Sequence, residues 1–186
     1  MNEKEFNMDF EINPLTVAIL PIEFGEGKLY SKVYQLDEEF FVPFKPLDLI
    51  KKACKAFGAS YEGRRDGCRH LVGITHKVPI TIDSTNLVYF FPTNSPTKAP
   101  CAWISHEHVK EYKKSDSSHT HVTFRNNKSI VIPISVYSFE KQMLRTALLR
   151  TRLSQKIASQ NRRLMYVYNN HSKASENLSP YGDLDF

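Results

Sequence analysis

Four histidines fall within sixteen residues: His106 and His108 in "WISHEHV", then His119 and His121 in "HTH". Imidazoles at such density raise the question of a zinc site, which needs about four ligands converging within roughly 2.3 Å of one point. Alternation along a strand puts His106 and His108 on one face, and His119 and His121 on one face of the next strand. A turn centred on residues 115–118 sets His121 opposite Tyr112, with His108 four residues further along. At roughly 3.3 Å per residue the two pairs then lie about 13 Å apart. They cannot share one metal in that register. They read instead as the polar faces of two strands, with Arg125 beside His119 and His121 and with Val122 and Phe124 pointing inward. Such a face could also touch nucleic acid. No metal and no cofactor are expected.

The cations offer a different chemistry. The chain has 186 residues and a net charge of +5, distributed unevenly. Residues 1–45 carry 9 acidic and 4 basic side chains, residues 46–165 carry 8 acidic and 20 basic, and residues 166–186 carry 3 acidic and 1 basic. A basic body between acidic ends is the footprint of a polyanion binder. Around a helical wheel at about 100° per residue, Lys141, Arg145, Arg152, Lys156 and Arg163 fall on one side of the segment 138–163, with no acid interrupting them. This stripe can contact phosphates. Arg150 falls outside it, close to Phe139 and Ile157, and reads more readily as a snorkelling or ion-paired structural arginine. A second basic group, Arg64, Arg65 and Arg69, sits in "FGASYEGRRDGCRH" (57–70). Gly58, Gly63 and Gly67 there suggest a flexible loop able to enter a narrow minor groove. Cys68 beside two arginines has the setting of a thiol with a lowered pKa, although an inert cysteine is the plainer reading.

These residues need elements to hold them. "LTVAIL" (15–20) and "KLYSKVYQL" (28–36) read as strands joined by a turn at Gly25 and Gly27, and "EFFVPF" (39–44) as an edge strand or a bend at Pro43. In "PLDLIKKACKAFG" the spacing of Leu47, Ile50, Cys54 and Phe57 predicts a short helix over 46–57, with Pro46 in its first turn and Gly58 at its C′ end. Strands return from 70 to 137, in "HLVGITH", "ITID", "NLVYFFPT", "CAWISHEHV", "HVTFRN" and "SIVIPISVY". A long helix is expected from Ser138, as its N-cap, to Met165. The fold class is α+β: an antiparallel sheet or partly open barrel with one short helix and one long basic C-terminal helix. Residues 1–165 are expected to form a single DNA-binding domain and 166–186 a flexible tail. Leu164, Met165, Tyr166, Val167 and Tyr168 form an apolar cluster that reads as a short docking peptide or a last helical turn packed on the core.

Other classes are less favoured. No run approaches 18 apolar residues, so no membrane span is expected. "MNEKEFNMDFE" is not a secretory signal. Three cysteines, Cys54, Cys68 and Cys101, without CxxC spacing fit a reducing cytoplasm. A Mg²⁺-dependent nuclease needs clustered carboxylates, and the acids of the basic body lack a nuclease spacing. An RNA-binding module would carry an RNP1 pattern or a GXXG clamp, and neither is present. A nucleic-acid-processing enzyme and an RNA module remain the alternatives to a DNA-binding protein that is not an enzyme.

"FGASYEGR", "ITHKVPITID", "FFPTNSPTKAPCAWISHEHVKEY" and "PISVYSFEKQMLRTALLRTR", in this order over roughly residues 14–155, resemble the ComK family of competence transcription factors. The resemblance implies a transcription activator of genes for DNA uptake. Such proteins bind paired AT-rich boxes of double-stranded promoter DNA as oligomers, largely through the minor groove. It raises Arg64, Arg145, Arg150 and Arg152, which lie in matching motifs, while Lys141, Lys156 and Arg163 rest on the wheel. It further implies a C-terminal region that meets an adaptor of a Clp protease. "WISHEHV" resembles a family strand motif, which argues against zinc.

Overall fold

The computed structural model describes residues 6–176 except Glu26, with side chains to residue 168. Nine strands and three helices are present among the described residues: β1 (Thr16–Phe24), β2 (Lys28–Gln35), β3 (Glu39–Val42), α1 (Pro46–Ala56), α2 (Tyr61–Val72), β4 (Ile80–Asp83), β5 (Val88–Pro92), β6 (Trp103–Ser105), β7 (Val109–Lys114), β8 (Thr120–Phe124), β9 (Ser129–Ile132) and α3 (Val136–Glu176). The strands form two antiparallel sheets, ordered β3-β2-β1-β6-β5-β4 and β7-β8-β9. The α+β expectation holds, and neither sheet closes into a barrel.

The six-stranded sheet is buried on both faces because alternate residues point opposite ways. Ile19, Phe90 and Trp103 face α1, where Leu49, Ile50, Ala53 and Cys54 complete one core. Ala18, Phe91 and Ile104 face the small sheet, meeting Val122, Phe124 and Ile132 in a second core with Phe139 at the start of α3. Phe139 packs edge-on against Phe91 at 5.3 Å between ring centroids. A third, smaller cluster joins α2 to α3 through Cys68, Val72, Tyr89 and Leu149.

Three expectations need correction. The stretch 57–70 is mostly helix, not loop. Ser60 caps α2, its hydroxyl accepting the Gly63 amide at 3.0 Å, and Gly73 closes the helix at φ 69°. Tyr61, Arg64, Cys68, Leu71 and Val72 give that helix an inner face, of which Tyr61, Cys68 and Val72 are buried. Gly63 and Gly67 occupy ordinary helical backbone, and of the three glycines in 57–70 only Gly58 uses a positive φ. Consequently "HLVGITH" is the end of α2 and a turn, not a strand.

Second, α3 is capped three residues before the expected cap. The Ser135 side chain accepts the Ser138 amide and its carbonyl accepts the Phe139 amide, so the helix starts at Val136. It also continues past Met165 to Glu176. Third, the turn 106–108 interrupts "CAWISHEHV", and the hairpin pairs Tyr112 with Val122 and Lys113 with His121. The register is one residue from that expected. Val122 and Phe124 do point inward.

Candidate nucleic-acid interface

The histidines separate by environment. His106 and His108 sit in the turn between β6 and β7. The His108 Nε2 lies 2.8 Å from the Pro14 carbonyl, and His119 Nδ1 lies 2.9 Å from the Asp116 carboxylate. Backbone and side-chain donation from Ser118 and His119 draws the Asp116 carboxyl down to about 2. Among the described residues no group of three or more His, Cys, Asp or Glu is placed to hold a metal. The three thiols are buried, and burial pushes Cys54 and Cys101 up to about 11 and raises Cys68 as well. A backbone hydrogen bond at Thr81 and the nearby Arg64 lower Cys68, but desolvation outweighs them, so the arginines do not bring the thiol below its usual value.

The cations divide into two groups. One is engaged with backbone carbonyls and a carboxylate, Arg152 while still exposed to solvent. Arg64 Nη2 donates to the Phe57 carbonyl at 2.9 Å, closing the C-terminal end of α1. Arg152 Nη1 donates to the Leu71 carbonyl at the end of α2, and Arg145 Nη1 reaches the His76 carbonyl at 3.4 Å and Gln142 Oε1 at 3.2 Å. A helix leaves its last carbonyls without intrahelical donors, so guanidinium groups at those ends bond and also complement the dipole. Arg150 Nη1 pairs with Glu107 Oε2 at 2.7 Å, and Arg125 holds the other oxygen of Glu107 at 3.4 Å. The ion-paired reading of Arg150 describes its position.

The other group faces outward. Arg65 and Arg69 lie one helical turn apart on the exposed side of α2. Arg65 is 3.9 Å from Asp66 and rests near the Tyr61 ring, while Lys141 lies over the Tyr137 ring at 4.3 Å. Lys156, Arg162 and Arg163 are exposed on α3 beyond Leu153, from which point every described residue of the helix is exposed. Leu164, Met165, Tyr166, Val167 and Tyr168 are more than half exposed, so they do not form a turn buried in the core.

The stripe on α3 is therefore divided by α2. Arg145 and Arg152 meet the C-terminal end of α2 and the segment behind it, whereas Lys156 and Arg163 run past it. α2 and the outer half of α3 bring Arg65, Arg69, Lys156 and Arg163 to the surface. Two residues escape sequence reasoning, and the first of them joins these parts. Gln142 is buried and donates to the carbonyls of Lys77 (3.0 Å) and Pro92 (2.7 Å), tying the segment after α2 to β5. Arg162 lies beside the stripe on the same exposed half-helix. Gln142 has a polar side chain that gives no core signal in a wheel, and only its place on the same helix face as Thr146 and Leu149, at i+4 and i+7, could have marked it.

A helix packed on a sheet-bound body, with a basic helix leaving that body, defines an α+β protein that carries exposed cations on α2 and on the outer half of α3. Comparison with known proteins gives the family. The sequence profile described as ComK protein matches residues 7–158. A protein of Bacillus subtilis (strain 168) named "Competence transcription factor" is 45% identical over 148 residues, spanning 80% of this chain and 77% of that one. The chain belongs to the ComK family. No solved structure matches it.

Proposed function

We propose that this protein is a transcription activator of competence genes that binds double-stranded AT-rich promoter boxes in the cytoplasm as an oligomer, without enzymatic activity. The observation that carries the reading is the 45% identity to the Bacillus subtilis competence transcription factor over most of the chain. The basic surface supports it physically. Arg65, Arg69, Lys141, Lys156 and Arg163 extend outward, where phosphates can reach them, while Arg64, Arg145, Arg150 and Arg152 hold the helices that present them. Arginines at the edge of a narrow A-tract minor groove meet the strongest negative potential on duplex DNA. Residues 1–165 act as the DNA-binding domain. Leu164–Tyr168 offer an apolar docking segment to a Clp protease adaptor, and the expected tail, residues 166–186, lies partly outside the described residues.

Fluorescence-anisotropy titration against a duplex with paired A- and T-tract boxes, and against a GC-rich duplex of equal length, tests the proposal at several salt concentrations. Neutralising about five phosphates gives a slope of log K against log[salt] near −4.5. Tight, salt-steep and AT-selective binding is expected. Equal weak binding to both duplexes, or a flat salt response, overturns it.

A further inference from the structure

Each of the two sheets ends in two edge strands, and three of the four edges are guarded. On β3, Phe6 bridges Phe41 and the Asn7 amide donates to the Phe41 carbonyl at 2.9 Å. The other end of the large sheet, β4, is buried and packed beside α2. β7 carries the exposed charges Lys110, Glu111, Lys113 and Lys114 and a bulge between Val109 and Glu111. Natural proteins block edge-to-edge pairing by these means: coverage, charge and irregularity.

β9 has neither coverage nor charge, and only its shortness and Pro133 just past its end limit pairing there. Its four residues, Ser129–Ile132, are uncharged, and among the described residues the strand pairs only with β8. Val131 is half exposed on the outer face, and Ile130 and Ile132 turn to the core side with Val122 and Thr120. Beyond the strand, Ile132 and Pro133 open onto an apolar cleft of about 330 Å³ that Leu20, Pro21, Leu29 and Ala102 also line. An uncharged, unpaired edge continued by apolar surface fits another strand.

We propose that β9 pairs antiparallel with β9 of a second copy of this chain, making one six-stranded sheet across a twofold axis. The inference rests on the self-association proposed above and names its interface. The sequence of β9 can pair with a second copy of itself. With Val131 opposite Val131 of the other copy, Ile130 meets Ile132, so both core faces stay on the same side of the joined sheet. Lys128 then lies three positions from the axis, and the two lysines do not face each other. An isologous dimer of this kind repeats the basic surface by the same twofold axis, which suits paired boxes.

The test uses the full chain as wild type and as Val131→Lys, by sedimentation equilibrium and by binding to one-box and two-box duplexes. Val131→Lys sets two ammonium groups side by side at the axis. The expected result is a dimeric wild type, a monomeric variant with unchanged one-box affinity, and a two-box affinity lower by on the order of 10²-fold. A variant that dimerises as the wild type does overturns the β9 interface and leaves self-association standing. A wild type monomeric at all concentrations overturns both. Val131→Cys supplies a second reading independent of the lysine variant. Mild oxidation should link two copies through this residue, because the native cysteines are buried, and the absence of linked dimer counts against the pairing.

Discussion

The two halves of α3 carry the same kind of residue in the same rhythm and use it differently. Through Leu153 the helix lies on the body. Phe139, Gln142, Thr146 and Leu149 are buried, and Arg145, Arg150 and Arg152 are spent on a carboxylate and on carbonyl ends. From Ser154 the helix leaves the body, and Lys156, Arg162 and Arg163 meet solvent. A cationic periodicity therefore does not itself define a binding face. What lies opposite each cation decides whether it holds the fold together or remains available to a partner.

The largest effect that separates the halves is in packing. Leu149→Ala should destabilise the protein by about 2–5 kcal/mol, since the side chain is fully buried between α2 and β5. Leu164→Ala, on the outer half, should change stability by less than about 0.5 kcal/mol. Urea denaturation of both variants measures the contrast, and a large loss at Leu164 would break it.

The charges sharpen the same comparison. Arg150→Ala should cost about 1 kcal/mol, because its pair with Glu107 is partly solvated and Arg125 still holds that carboxylate. It should leave the salt dependence of DNA binding unchanged. Lys156→Ala and Arg163→Ala should do the reverse, each making the salt slope shallower by about 0.9 with little change in unfolding. An Arg150 variant that alters the slope by as much as Arg163 would erase the distinction.

Gly67 gives a sharper test of α2. A Cβ built there meets nothing within 4 Å, and the backbone is helical. Gly67→Ala should therefore stabilise the protein by about 1 kcal/mol, observed as a higher denaturation midpoint. On the proposed DNA-facing side of α2, beside Arg65 and Arg69, the added methyl should also weaken DNA binding while the protein folds better.

The smallest effect is in pH. His106, in the turn that Glu107 ties to α3, is held below its usual pKa by burial and then by the Arg150 charge. The unfolded chain therefore binds a proton more readily than the folded one. Its contribution to stability is complete above about pH 6.5 and is lost as pH falls from there through the lower folded value. Thermal melts from pH 7.5 to 5.5 should show a decline that His106→Asn flattens.

Much of this could be read along the chain. The hairpin at Gly25 and Gly27 and the helix from Pro46 follow from local rules, and so do the inward Val122 and Phe124. α2 was also encoded locally, by Ser60 as a cap and by Tyr61, Cys68, Leu71 and Val72 at helical spacing. Its arginines and two glycines, with Gly58 just before it, suggest a loop, but glycine lowers helix propensity by only about 1 kcal/mol, an amount that packing overrides. In the candidate interface, residue type identified the cations but not their partners.

By itself the sequence determined the fold class, the basic body, the long helix and the family resemblance, since each depends on composition, period or motif within a single stretch. Tertiary structure alone decided that α2 docks on α3, that Arg145 and Arg152 bond to carbonyls more than sixty residues away in sequence, and that β9 is left as the bare edge. Those outcomes depend on which surfaces meet when separate elements bury their apolar faces together, and no local pattern specifies the element on the other side.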